Sequence, residues 1–167
     1  MQSMFKFSVD KKTHTITIER EFAAECSLVW EAWTRAEILD RWWAPKPWKS
    51  ETKRMKFEVG GFRHYAMCGP NGEKHWGLTD YKSITYHRDF TGIDYFSDEE
   101  ANKNESLPVA GFQVRFLAAT NLTQVTYTAR YSDLVQLENV VKMGAIEGMK
   151  SALNELDRLI KLVREGD

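Results

Sequence analysis

A chain of 167 residues suits one domain, long enough to bury roughly 70% of the surface that its unfolded form exposes. With 28% charged and 43% hydrophobic residues it has the composition of a folded globular protein, which excludes a disordered one. Its 23 Lys and Arg nearly balance 24 Asp and Glu, so no net field gathers nucleic acid, and none is expected as a partner. No apolar run approaches the roughly 20 residues that cross a bilayer, and Met1-Gln2-Ser3-Met4-Phe5-Lys6 lacks the pattern of a secretory signal. Cys26 and Cys68 stand far apart with no CxxC spacing, as expected of a reduced thiol pair. A cytoplasmic location without membrane partners is the resulting expectation.

In chain order, His14 to Phe22 alternates with period two and predicts a strand with Ile16, Ile18 and Phe22 on one face. Ser27 has the chemistry of an N-cap for a helix through Val29 and Trp33. Glu37 to Trp43 reads as a second short helix, stopped by Pro45 and Pro47. Strands follow at 51–59, 62–68, 75–86 and 88–96, with Gly60-Gly61 and Gly69-Pro70-Asn71-Gly72 marking reversals. The acidic, Asn-rich stretch from Ser97 to Pro108 reads as a mobile loop. Residues 111–118 and 122–131 make a last hairpin, the second strand placing Val125, Tyr127, Ala129 and Tyr131 on one face. From Leu134 to Arg164 there is no proline, and apolar residues from Val140 to Val163 fall at helical spacing. One helix of about 45 Å is predicted there, with Gly144 and Gly148 each costing roughly 1 kcal/mol in its interior. The order of one strand, two short helices, about six strands and a long helix is an α+β pattern.

Six local words carry a resemblance: Val29-Trp30-Glu31-Ala32-Trp33-Thr34, Arg41-Trp42-Trp43-Ala44-Pro45, Gly60-Gly61, Gly69-Pro70-Asn71-Gly72, His75-Trp76-Gly77, and Gly148 followed by Leu153 to Leu159. In this order they resemble the START-like (SRPBCC) superfamily and, within it, the activator of Hsp90 ATPase homologue family. The resemblance spans nearly all of residues 14 to 163. It implies a helix-grip (START-like, Bet v 1-like) fold, a curved antiparallel β-sheet wrapped around a long C-terminal helix with a cavity between them. One domain over 1–167 is expected, an extension over 1–13 preceding the helix-grip part over 14–165. Cavities of the superfamily hold lipids, sterols, hormones, polyketides or aromatic compounds. The family name suggests a chaperone, but in the eukaryotic co-chaperone a separate N-terminal domain makes the main chaperone contact. Only about a dozen residues precede the first predicted strand here, so a chaperone partner is not expected.

The expected ligand is therefore a hydrophobic or amphipathic small molecule, with no cofactor and no metal. Its cavity would be lined by Trp33, Trp42, Trp43, Tyr65, Met67, Trp76, Tyr81, Phe90, Phe112, Val114, Phe116, Tyr127, Met143 and Met149. Trp30 and Trp33 read chiefly as core, whereas Trp42, Trp43 and Trp76 suit core and pocket equally. Alternation after Gly61 sends Arg63 to the same face as Tyr65 and Met67. A buried guanidinium must be paired, so it would meet Asp94, Asp80 or a ligand carboxylate, or else reach solvent along its stem. A register shifted by one would turn His64 inward instead. His14, His64, His75 and His87 show no metal-ligand spacing. A cavity enzyme of the cyclase or hydratase sort is the alternative, with Arg63, His64, Asp80 and Asp94 as candidates and Asp80 and Asp94 as a conceivable carboxylate pair. A third reading is an interaction domain using the outer sheet face or the acidic loop. A homodimer through exposed aromatic surface is left open.

Overall fold

The computed structural model describes residues 5–165, which carry eight strands and four helices. β1 (Phe5–Asp10) and β2 (Thr15–Phe22) form an antiparallel hairpin in which Phe7 faces Ile18 across the ladder. The expected extension over 1–13 thus contains a strand, in which Phe5, Phe7 and Val9 alternate with Lys6, Ser8 and Asp10. Its turn is held by the Asp10 carboxylate, which accepts from the backbone N–H groups of Lys12 and Thr13 at 2.9 and 3.2 Å. Residues 1–4 lie outside the described residues.

α1 (Cys26–Thr34) begins two residues earlier than a Ser27 cap requires, and its N-cap, Glu25, makes no side-chain capping bond. α2 (Ala36–Leu39) is a single turn, ending well before Trp43. At its C-cap the Asp40 carboxylate is engaged by β3 (Lys49–Lys56), accepting from the Thr52 backbone N–H at 3.0 Å and the Ser50 hydroxyl at 2.9 Å.

β4 (Phe62–Cys68), β5 (Lys74–Thr85), β6 (Asp89–Ser97), β7 (Ala110–Ala119) and β8 (Leu122–Tyr131) complete one antiparallel sheet. Its order is β1-β2-β8-β7-β6-β5-β4-β3, so the helical crossover from β2 to β3 links its two halves. Register breaks between Thr52 and Arg54 and between Tyr81 and Ser83 bend the sheet around the helices. Gly92 sits opposite the second bend, where a Cβ would come within 2.2 Å of the Asp80 carbonyl oxygen.

The C-terminal segment is two helices rather than one. α3 (Leu134–Lys142) starts on Asp133, whose carboxylate accepts from the Gln136 backbone N–H at 2.8 Å. It stops because Gly144 takes φ +87°, a conformation that only glycine adopts cheaply, and α4 (Ala145–Glu165) follows. Gly148 falls in the opening turn of α4, where a Cβ would touch only the Pro45 ring at 3.7 Å. Ala152, Leu153, Leu156, Leu159 and Ile160 bury the apolar face of α4, whereas Val163 emerges at 48% exposure.

Polar ties fix α4 against the sheet. Arg20 shares the inward face of β2 with Ile18 and Phe22. Its guanidinium donates to the Asn154 side chain at 2.7 Å and pairs with Asp157 at 3.6 Å. Lys46 reaches Glu155 at 2.8 Å from the loop beyond α2.

Aromatic packing divides the space between sheet and helices. Around Trp30 lie Phe57, Phe90 and Phe116, all with ring centroids within 6 Å of it, and this end is solid. On the outer face the loop expected to be mobile is folded back in its first half. The Asp98 carboxylate accepts from Glu100 and Asn102, and Lys103 pairs with Asp80 at 2.9 Å. Beneath it His64 stacks on Trp76 and lies 2.9 Å from the Asp98 carbonyl oxygen.

Candidate functional site

At the other end the packing opens into a cavity of about 440 Å³. Trp43, Pro45 and Trp48 form its wall on the crossover side. Tyr65, Met67 and Gly77 contribute from β4 and β5, and Asp94, Ala110, Tyr127 and Tyr131 from β6, β7 and β8. Val140, Met143, Gly144, Ala145, Gly148 and Met149 close it from α3, α4 and the turn between them. Strand alternation explains the floor, since the cross-strand partners Tyr131–Ala110, Ala110–Asp94 and Asp94–Thr79 share one face of the sheet.

The structure divides the expected lining in two. Trp43, Tyr65, Met67, Trp76, Asp94, Tyr127, Met143 and Met149 border the cavity. Trp76 does so at the rim, its ring turned outward onto His64. Trp33, Trp42, Arg63, Tyr81, Phe90, Phe112, Val114 and Phe116 do not border it. Trp42 is core, its indole N–H donating to the Ala32 carbonyl oxygen at 2.9 Å. Phe116 packs on Trp30, while Trp33, Tyr81, Phe90, Phe112 and Val114 surround a void of only about 30 Å³ behind Asp94. These side chains point inward as alternation requires, but neighbouring rings already fill their end of the space.

Arg63 faces inward and is 3% exposed, yet it meets neither Asp94 nor Asp80. It donates to Asp40 at 3.1 Å, to the Ser50 hydroxyl at 2.7 Å and to the Thr52 hydroxyl at 3.1 Å. Its guanidinium also lies 4.1 Å from the Tyr65 ring centroid, bracing the cavity wall from behind. The expected ligand anchor is therefore a structural cation. Nor do Asp80 and Asp94 form a pair, because the register sets Thr79 opposite Asp94 and Asp80 opposite Ile93, on the other face. His64 is likewise on the outer face.

Asp94 is the charged group of the chamber. One carboxylate oxygen accepts from the Thr79 hydroxyl at 2.5 Å, and the other is 3.5 Å from the Tyr127 hydroxyl. Burial pushes its pKa up from 3.8 to about 6, although the Thr79 bond, Arg63 and Tyr127 pull the other way. The same desolvation raises Tyr65, Tyr127 and Tyr131, which therefore stay protonated as hydroxyls at neutral pH. Composition and spacing missed Trp48, His75, Tyr131 and Ala110. For Tyr131 the signal was present, since it shares its strand face with Tyr127. Among the described residues no cluster of His, Cys, Asp and Glu could hold a metal ion.

Residues 23–161 match the model of the family described as activator of Hsp90 ATPase homolog 1-like protein. The chain belongs to this family. A crystal structure of a Mycobacterium smegmatis protein is 32% identical, covers 95% of this chain and 96% of its own, and superposes with a TM-score of 0.86. A solution structure from Arthrobacter aurescens is 28% identical over 93% of this chain and 91% of its own, with a TM-score of 0.89. A Nitrosomonas europaea crystal structure, 23% identical over 94% of this chain and 99% of its own with a TM-score of 0.79, shares the fold. No curated protein matches the chain. Membership in the activator of Hsp90 ATPase homolog 1-like family accounts for the cavity-forming α+β fold, with a curved sheet around the C-terminal helix. Among the described residues no helix is long and apolar enough to cross a membrane.

Proposed function

We propose that the protein binds a hydrophobic or amphipathic small molecule in the cavity between the sheet and α3–α4. The observation that carries this reading is the chamber itself. Its volume of about 440 Å³ falls in the range of small-molecule sites, and its walls are mostly aromatic and Met side chains around one half-buried carboxyl. Filling was the alternative outcome for so aromatic an interior, and one end is indeed filled. The balanced charge supports a neutral or weakly charged ligand over nucleic acid.

A test is native mass spectrometry of the purified protein, with a thermal-shift screen of apolar compounds, on wild type and Ala110→Phe. Ala110 lies on the cavity floor beside Asp94, so a phenyl ring there occupies ligand space with little overpacking. Saturable stabilisation or a co-purified mass in wild type, lost in the variant, supports the reading. Wild type that neither carries nor responds to any compound refutes it.

One observation favours catalysis as a second reading. A carboxyl with a pKa of about 6, enclosed with tyrosine hydroxyls, is matched to proton transfer near neutral pH. In that case Asp94→Asn abolishes turnover while ligand affinity persists.

A further inference from the structure

We propose that the cavity selects an amphipathic amine, its ammonium group seated on Asp94 and its apolar body lying toward Met143 and Met149. The inference rests on the cavity reading above and narrows it to one head-group chemistry.

Acceptor capacity provides the first argument. A carboxylate offers about four acceptor sites. Asp94 fills one firmly with the Thr79 hydroxyl and a second only loosely with Tyr127 at 3.5 Å, while it borders the cavity. Charge provides the second. Among the described residues no Lys or Arg borders the cavity, and the nearby Arg63 is spent on Asp40, Ser50 and Thr52. An acidic ligand would find repulsion and no cation. A neutral one would leave the carboxylate's open acceptor sites without charge or sufficient donors. An ammonium supplies both, and charge-assisted bonds of this kind are roughly twice as strong as neutral ones. Trp43, Tyr65, Tyr127 and Tyr131 border the same chamber, and their ring faces attract a desolvated cation further.

Pairing with an ammonium requires Asp94 to be ionised. Around it stand Arg63 and Tyr65 from β4, Thr79 and Tyr81 from β5, and Tyr127, with Tyr131 beyond, from β8, while Asp80 acts on it from the other face of the sheet. His75 stands at the rim. With the carboxyl titrating at about 6, amine affinity rises with pH through that value and levels off above it.

Two matched ligand sets test the proposal by calorimetry: tryptamine, tryptophol and indole acetate, and decylamine, decanol and decanoate. In at least one set the amine is expected to bind on the order of tenfold tighter than the alcohol, with the acid weakest. Asp94→Asn should erase the amine's advantage over the alcohol. Should that variant fail to fold, wild type decides alone. Its affinity for the amine should rise about tenfold from about pH 5 to about pH 7 while that for the alcohol stays flat. An alcohol or acid that binds as tightly as the amine, or a flat pH profile for the amine, overturns the amine proposal and leaves the cavity reading standing. If no compound of either set binds, the amine proposal falls, and the compound screen above decides the cavity reading.

Discussion

Replacing Asp40 with Ala should destabilise the protein far beyond what an ion pair near its surface suggests. Asp40 is 28% exposed but its partner Arg63 is 3% exposed, so the deletion strands a buried guanidinium. The carboxylate accepts bonds from Arg63 at 3.1 Å, Ser50 at 2.9 Å, and both the hydroxyl and the backbone N–H of Thr52 at 2.8 and 3.0 Å. Breaking a fully buried pair costs about 3–5 kcal/mol, and water reaching the Asp40 side reduces this to about 2–4 kcal/mol. For a chain of this size that lowers Tm by roughly 5–15 °C. Urea unfolding followed by far-UV circular dichroism measures the loss. The double variant Asp40→Ala/Arg63→Met provides the control, since removing both charges should restore about half of it or more. A single-variant loss below about 1 kcal/mol, or a double variant equal to the sum of the two singles, refutes the claim that the pair braces the cavity wall.

Asp94→Asn is expected to act in the opposite direction at neutral pH. The folded carboxyl holds its proton up to about 6 against 3.8 unfolded, so its contribution is favourable at low pH and is lost as pH rises through 6. The variant should therefore gain about 1–3 kcal/mol at about pH 7.5 and nothing at about pH 4, read from urea midpoints across pH. Gly144 in the turn and Gly148 in α4 should differ in sign. Gly148→Ala should stabilise by about 0.5–1 kcal/mol, its Cβ meeting only Pro45 at 3.7 Å, whereas Gly144→Ala at φ +87° should destabilise by about 1 kcal/mol or more. Gly77→Ala should weaken ligand binding in a fluorescence titration. Its Cβ would fall 2.7 Å from the Tyr65 ring, and the ring can yield only by moving.

Much of the scaffold was legible in the residues because turn chemistry pins strand ends. β4 begins and ends where Gly60-Gly61 and Gly69 place it, and β8 covers the residues 122–131 read from their alternation. β1 escaped notice although Phe5, Phe7 and Val9 alternate, because only β2 in the folded chain gives that short strand a partner. The helix break was hidden because Gly144 carries the same low propensity whether it kinks a helix or is tolerated inside one. Alternation placed Arg63 inward, but its partners depend on how α2 lies across β3, and the conceivable pair of Asp80 and Asp94 fails on a register offset of one. Alternation likewise cannot say which end of the interior the rings fill. Hence Trp42 and Phe116 were grouped with Trp43 and Tyr65, although the first two are packed solid and the second two face open space.

The turn at Gly144 puts the end of α3 and the opening turns of α4 at the chamber, apart from the stretch of α4 beyond them. α4 carries the load through Leu153, Leu156 and its bonds to Arg20 and Lys46, and no residue in that set touches the chamber. Val140 and Met143 border the opening from the far side of a residue without a side chain, and Met143 is 59% exposed. Substitutions at Met143 alter the shape of the chamber's border while the anchoring contacts stay as they are. It follows that related chains can diverge at this border, and hence in what they admit, with little loss of stability.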